Sequence, residues 1–255
     1  MNMEINFDHY YSGTSGLLLP VPNKLHYPEE FKDKSRLTYY ASLFNSIEMN
    51  SSFYKIPLAS TVRNWATQVP EDFKFTFKLW REISHNKGLV FNPEDVHRFL
   101  QVINNIGDKK GALLVQFPPS LKVIMRPQLE NLLVAISEAD PEKHWNVALE
   151  FRHSSWYDED IFELIDHFGF EIVAHDKPGS APGLPVSDTT FKYLRFHGPK
   201  GDYRGTYEDD FLYETAEQIQ DWIADGKRVY AYFNNTMGEA IKNLNLLNAI
   251  VNPVE

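Results

Sequence analysis

Short stretches in which apolar and polar residues alternate recur along the chain, separated by longer amphipathic segments. In VALEFR, residues 147–152, large apolar side chains occupy every second position, and Glu150 and Arg152 occupy two of the others. Successive side chains of a strand point to opposite faces, so Glu150 and Arg152 share one face. The same alternation predicts eight strands, at residues 10–15, 46–51, 73–79, 112–117, 147–152, 171–176, 192–197 and 229–234.

Segments with a helical spacing of apolar residues lie between these strands. One of them opens with Pro93, a residue favoured in the first helical turn, and closes before Gly107. The predicted helices span residues 29–44, 58–69, 93–106, 126–137, 158–168, 209–224 and 238–251. Residues 177–190, KPGSAPGLPVSDTT, contain three prolines and two glycines and predict a loop instead.

Strands that alternate with helices predict a parallel sheet. An open, doubly wound sheet has strands that are apolar on both faces, whereas most strands here have one polar face. We therefore predict an α/β fold made of a single TIM-barrel-like (β/α)8 domain over residues 1–255. The connection after strand six is expected to be poorly helical.

The polar strand faces predict where a site lies. In a barrel the bulky apolar face packs under the helices and the other face points inward, and barrel enzymes place their active sites at the carboxyl ends of the strands. We expect a ligand or reaction site there, at a mouth open to solvent. A structural network of paired charges is the alternative interpretation. The inward residues near these ends are Glu48, Asn50, Lys78, Gln116, Glu150, Arg152, Arg195, His197 and Asn234.

Composition narrows the class of protein. The chain has 255 residues, a net charge of −10 and no cysteine, so disulfides and thiolate metal sites are excluded. The acidity disfavours general binding to nucleic acid or to anionic membranes. The first residues, MNMEINFDHYY, lack the apolar segment of a signal peptide, and no apolar run is long enough to span a bilayer. We expect a cytoplasmic protein without a membrane partner.

Seven motifs occur in an order that resembles the YecE-like family, also called domain of unknown function 72. They are SGTSG, FNSIEMNSSFY, FKFTFKLWREISH, LLVQFPPS, VALEFRHSSW, YLRFHG and VYAYFNN, from Gly13 to about residue 247. The resemblance implies a TIM-barrel-like fold but supplies no reaction. Besides inward residues named above, His85, Trp156, Asp176 and Asn235 match motif positions of the family.

The residue types predict roles in the site. Glu48 and Glu150 are expected to act as an acid and base pair, which needs two carboxyl groups with different pKa values. His197 can carry a proton, and Asp176 completes the predicted catalytic group. The predicted substrate-binding residues are Asn50, Lys78, His85, Gln116, Arg152, Trp156, Arg195, Asn234 and Asn235, with no residue assigned as a metal ligand.

Three functions remain open at this point. The leading one is a hydrolase-like or lyase-like enzyme without a cofactor, acting on a small anionic, phosphorylated or sugar-derived substrate, because arginines clamp phosphate and carboxylate oxygens. A metal-dependent phosphodiesterase that acts on nucleic acid is the second, with a divalent metal held by His, Asp and Glu side chains. The third is a ligand-binding barrel without catalysis. The first N–H groups of the helix after strand eight offer a further anion site. The sequence does not predict the oligomeric state.

Overall fold

The computed structural model describes residues 9–182 and 187–252. Nine strands are seen in this part of the chain, because predicted strand six is divided at Val173. The strands are β1 (Tyr10–Thr14), β2 (Ser46–Met49), β3 (Lys74–Lys78), β4 (Lys110–Gln116), β5 (Asn146–Glu150), β6 (Glu171–Ile172), β7 (Ala174–His175), β8 (Phe191–Phe196) and β9 (Arg228–Phe233).

The strands form two parallel sheets, one in the order β1-β9-β8-β7 and the other in the order β2-β3-β4-β5-β6. At one junction Val173 separates β6 from β7, and its N–H group donates to Leu149 O at 2.9 Å. At the other, an isolated bridge pairs Ser15 with Glu48, beyond the end of β1. The predicted α/β fold with parallel strands is confirmed. The strand pairing is not continuous around the two sheets, and at both junctions isolated contacts replace a regular ladder.

Helices cover the outer faces of the sheets. Two of them begin at a capping side chain: Asn92 accepts from Glu94 N before Pro93, and Asp158 accepts from Ile161 N. The helices are α1 (Arg36–Ala41), α2 (Ser51–Tyr54), α3 (Ala59–Ala66), α4 (Arg81–Ser84), α5 (Pro93–Ile103), α6 (Arg126–Ala139), α7 (Glu159–Phe168), α8 (Asp209–Ala224) and α9 (Ala240–Val251).

The connection between β7 and β8 has no helix in its described parts, residues 176–182 and 187–190. This agrees with the loop predicted from its prolines and glycines. Residues 183–186 of that loop lie outside the described residues. Among the described residues, no helix has the length and apolar character needed to cross a bilayer. The single-domain organisation stays a prediction.

Two hydrophobic clusters confirm the predicted strand faces. The larger one lies between the strands and the helices and contains Ile47, Phe77 and Leu149. The smaller one fills the space on the inner strand faces, where polar hydroxyl groups are paired with each other; Tyr232 OH, for example, lies 2.6 Å from Ser46 Oγ. Its buried members are Ala112, Leu114, Ala148, Val173, Phe191, Tyr193, Tyr230 and Tyr232. Side chains from both sheets therefore meet in one interior, below the predicted site.

Candidate functional site

Arg195 joins the two sheets at the carboxyl ends of their strands. From β8 it binds Glu48 of β2 with two hydrogen bonds, Nε to Oε2 at 2.9 Å and Nη2 to Oε1 at 2.7 Å. Its Nη1 atom donates to Glu150 Oε2 of β5 at 2.5 Å. All three side chains are buried. A single guanidinium therefore neutralises two carboxylates from different parts of the fold, as its planar fork allows.

Both carboxylates stay ionised in this arrangement. Burial raises the pKa of Glu48, but the charge of Arg195 and hydrogen bonds from Arg195, Ser15 and Tyr193 outweigh burial and leave that pKa below its ordinary value. Burial also raises the pKa of Glu150, and the charges of Arg195 and Arg152 lower it much further. Two carboxyl groups with lowered pKa values are not an acid and base pair. The acid and base roles predicted for Glu48 and Glu150 are therefore not supported by these pKa values and stay predictions.

The solvent-exposed position expected for Glu150 is wrong. Its side chain is 0% exposed, because Arg195 and Arg152 cover its two oxygens. The alternation along β5 predicts the face on which Glu150 lies. It does not predict how far the arginines of neighbouring strands close over that face.

His197 contacts Arg152, and Asp176 holds His197 from the other side of the ring. His197 Nδ1 lies 3.1 Å from Asp176 Oδ1, and its Nε2 atom accepts from Arg152 Nη2 at 2.8 Å. Burial lowers the pKa of His197 to about 4 despite the hydrogen bond to Asp176, so the ring is neutral at pH 7. The other Asp176 oxygen accepts from Tyr207 OH. Since the free lone pair of His197 faces a guanidinium, the ring is placed to orient Arg152.

Arg152 has unused hydrogen-bonding capacity. Its side chain is only 6% exposed, and Nη2 faces both Glu150 and His197. The Nε and Nη1 atoms have no hydrogen-bond partner among the described residues, although both are buried. Buried donors of a charged group are normally bonded, so these two atoms are available to acceptor oxygens from outside the described residues.

Lys78, Gln116 and His85 form a second polar group at the same ends of the strands. Lys78 Nζ donates to Gln116 Oε1 at 2.7 Å and lies 4.2 Å from the centre of the Phe53 ring. Gln116 Nε2 lies 3.5 Å from His85 Nε2. Burial, followed by the charges of Lys78, Arg81 and Arg152, lowers the pKa of His85 to about 4. Lys78 and His85 thus face the two ends of one amide group.

The three predicted asparagines have different surroundings. Asn50 Nδ2 donates to Ser15 Oγ at 2.6 Å, and its buried Oδ1 atom has no partner among the described residues. Asn235 is buried and donates to Gly205 O at 3.1 Å, so it anchors the loop after β8. The structure gives the Asn234 side chain no hydrogen bond within the described part of the chain. Only Asn50 is therefore joined to the network around Arg195.

Trp156 lies in the core, so its predicted role in substrate binding stays a prediction that its surroundings do not favour. Its indole is fully buried, stacks on Phe151 at 4.8 Å between ring centres, and donates from Nε1 to Leu121 O at 2.8 Å. The single polar atom of Trp156 is thus used within the core, and the ring has no free face for a substrate.

The N–H groups before α9 are also occupied. Met237 N donates to Tyr203 O at 3.1 Å, and Glu239 N donates to Gly205 O at 3.0 Å. These bonds fasten the loop after β8 to the start of α9. The anion site suggested for this helix start is therefore not supported.

Two residues of the network were not predicted as site residues. Ser15 Oγ donates to Glu48 Oε1 and also accepts from Arg195 Nη2 at 3.2 Å, and Tyr193 OH donates to Glu48 Oε2 at 2.7 Å. Both had a signal in the sequence. Ser15 ends strand one within the SGTSG motif, and Tyr193 shares the inward face of β8 with Arg195.

The strand order, the helices outside the sheets and the polar network at the carboxyl ends define an α/β protein of the TIM-barrel-like kind. The fold agrees with that class, because it has a TM-score of 0.53 to a crystal structure of D-psicose 3-epimerase. The two chains are 10% identical, and the match covers 84% of this chain and 88% of the epimerase chain. At this identity the likeness concerns the fold alone.

The chain belongs to the family described as Protein of unknown function DUF72, whose model matches residues 11–254. It is 27% identical to the UPF0759 protein YunF of Bacillus subtilis over 243 residues, 83% of this chain and 84% of YunF. A crystal structure of a DUF72 family protein from Enterococcus faecalis V583 has a TM-score of 0.78 and 22% identity, and covers 96% of each chain. The YecE-like resemblance of the sequence is thereby confirmed.

Proposed function

We propose that this protein is an enzyme that binds a small anionic substrate, phosphorylated or sugar-derived, at the carboxyl ends of its strands. Arg152 is the proposed receptor for the anionic group. The observation that carries the proposal is the pair of buried Arg152 donors, Nε and Nη1, that have no partner among the described residues. Burying such donors without a hydrogen-bond partner raises the free energy of the folded protein, and a bound anion removes this penalty.

The surroundings of Arg152 support an anion rather than a cation. Lys78 lies at the same ends of the strands, and its hydrogen-bond partner is the neutral amide of Gln116 rather than a carboxylate. The nearest carboxylates, Glu48 and Glu150, already direct their oxygens to guanidinium groups. They act as positioning residues that fix Arg195 and Arg152 in place.

The metal-dependent alternative has less support. Within residues 9–182 and 187–252, no three His, Asp or Glu side chains are grouped as metal ligands. The carboxylate oxygens that a divalent ion needs are paired with arginines instead, so no observation favours the phosphodiesterase.

A calorimetric titration with inorganic phosphate tests the binding step. Arg152→Lys keeps a positive charge beside Glu150 but removes the Nε and Nη1 donors, so we expect phosphate affinity to fall about tenfold, the factor that corresponds to about 1.4 kcal/mol. Arg126→Lys is the matched control, because Arg126 is exposed and pairs with Asp160. Equal phosphate affinity in the parent and Arg152→Lys proteins, or none in either, would overturn the proposal.

Phosphorus NMR on a panel of sugar phosphates tests whether the bound substrate is converted. A hydrolase releases inorganic phosphate, a lyase produces a new phosphate ester, and a binding protein leaves every spectrum unchanged. The first two outcomes support an enzyme, and the third replaces it with the non-catalytic alternative.

A further inference from the structure

Lys78 lies at the carboxyl ends of the strands and has no ion-pair partner among the described residues. It ends β3 and is partly exposed, and Arg152 is among the charged groups close enough to act on its amine. Its contacts are a neutral amide oxygen of Gln116 at 2.7 Å and the Phe53 ring at 4.2 Å. It forms an ion pair with no carboxylate of the described residues.

Lys192, a buried lysine of β8, has different surroundings. Lys192 is buried at the opposite end of β8 and pairs with Glu171 at 3.1 Å. For Lys78, burial and the nearby guanidinium groups of Arg195 and Arg152 lower the pKa, the charges of Glu150 and Glu48 oppose this only in part, and the neutral, nucleophilic amine is favoured.

We infer that Lys78 forms a Schiff base with the carbonyl carbon of a small aldehyde or ketone whose anionic group is held by Arg152. This inference rests on the proposed function and deepens it, because it names the class of substrate and selects the lyase-like reaction. It also gives the amine a role that a purely anion-binding lysine lacks.

The chemistry requires no oxidant, reductant or cofactor. The Nζ lone pair of the neutral amine attacks the carbonyl carbon, a C–N bond forms, and a proton passes from nitrogen to the carbonyl oxygen to give a carbinolamine. The nitrogen lone pair then expels the hydroxyl group, which takes up a proton and leaves as water. The product is a protonated C=N bond on Lys78, which can accept electrons from a neighbouring C–C or C–H bond.

His85 is placed to move the protons of these steps. Gln116 receives Lys78 at its Oε1 atom and directs Nε2 toward His85 Nε2 at 3.5 Å. His85 is half-buried, and Ser84 Oγ lies 2.9 Å from its Nδ1 atom. A neutral imidazole in this position can pass the proton of the attacking nitrogen to the carbonyl oxygen through an intervening water, and the second proton, which the leaving hydroxyl takes up, comes from solvent.

Reductive trapping tests the inference. The full chain is incubated with pyruvate and sodium cyanoborohydride, which adds hydride to a C=N bond and fixes the adduct, and the modified lysine is located by peptide mass spectrometry. We expect Lys78 to carry the adduct at least about tenfold faster than any other lysine. Lys78→Arg should abolish this fast labelling, whereas Lys177→Arg, which alters a lysine bonded to Gly201 O, should not change it.

Dihydroxyacetone, a neutral ketone, separates this inference from the proposed function. Faster labelling of Lys78 by pyruvate than by dihydroxyacetone, lost in Arg152→Lys, supports both. Equal labelling of Lys78 by the two ketones supports the amine and overturns the anion site. Phosphate binding at Arg152 with no preferential adduct on Lys78 of the parent overturns the Schiff base and leaves the anion site standing.

The pH dependence of labelling provides a second readout. Burial, with the nearby arginines, lowers the pKa of Lys78 to about 8, so its labelling should be half-maximal near that pH. Surface lysines should still be gaining reactivity at higher pH. The titratable and charged groups that face Lys78 are Glu48, His85, Glu150, Arg152 and Arg195. A labelling profile identical to that of the exposed lysines would overturn the inference.

Discussion

Glu150 carries a negative charge in a position that water does not reach. Replacing it by Gln keeps the shape but leaves Arg195 and Arg152 short of one carboxylate. We expect the free energy of unfolding to fall by about 3–5 kcal/mol, as for other buried pairs broken on one side. Glu217→Gln, on the exposed face of α8, should change it by less than about 0.5 kcal/mol. Urea denaturation of both variants measures this, and a small loss for Glu150→Gln would mean that the network is not structural.

For individual residues, the sequence predicts which side chains share the interior but not which of them pair with each other. Alternation places Glu48, Glu150 and Arg195 on inward faces, and the structure brings all three together. Their pairing depends on the stagger of strands far apart in the chain. The burial of Trp156 in the core could not be predicted for a different reason. Trp156 follows the end of a strand, where the period of two no longer indicates the direction of a side chain.

Among the elements, β1 and β2 are joined by a side chain where the ladder is interrupted. The Tyr40 hydroxyl accepts from Thr14 N at 2.7 Å and donates to Ser46 O at 3.1 Å. This contact needs Gly13, because a Cβ there would lie 2.0 Å from Ser46 O and 2.6 Å from the Tyr40 hydroxyl. The glycine of the SGTSG motif is therefore explained by close approach of the backbone.

We expect Gly13→Ala to lower the melting temperature strongly, since overpacking against backbone costs about 1–3 kcal/mol or more. Gly16→Ala is the matched control: its φ of +89° penalises alanine, but no atom lies near the added Cβ. Thermal denaturation should show the larger loss for Gly13→Ala. A smaller loss than for Gly16→Ala would show that the edges of β1 and β2 can separate at little cost.

The elements were largely predictable because their periodicity is local. Predicted strand five, residues 147–152, ends two residues beyond β5, and the predicted helix 209–224 coincides with α8. Strand six had no clear apolar face, and it is the strand that divides, at Val173, between the two sheets. A break in hydrogen bonding between sheet edges depends on contacts across the whole structure, so no local pattern reveals it.

The stability of the whole molecule should fall on mild acidification. Burial keeps the pKa of folded His197 at about 4, whereas its ordinary value is 6.5. Between these pH values the unfolded chain binds the proton and the folded protein does not. The free energy of unfolding therefore decreases as the pH falls, by about 3 kcal/mol from this residue. The charged groups facing His197 are Glu150, Arg152, Asp176 and Arg195.

His197→Gln removes this titration. Urea denaturation from pH 7 to pH 4 should give a shallower decrease for the variant than for the parent, whatever the difference between them at pH 7. Glu48 and Glu150 do not obscure the comparison. Their pKa values in the folded protein are lowered, so the stability that depends on their negative charges is lost only below pH 4.5, their ordinary pKa. Parallel curves for the two proteins would contradict a neutral, buried His197.

The central claim is that Arg152 receives an anion, and a crystal structure grown with tungstate tests it most directly. Tungstate has the shape and charge of a phosphate-like anion, and its anomalous scattering locates it without ambiguity. We expect a tungstate oxygen within hydrogen-bonding distance of Arg152 Nε or Nη1, the two donors without a partner among the described residues. Tungstate bound only elsewhere, with both donors bonded to protein atoms, would contradict it.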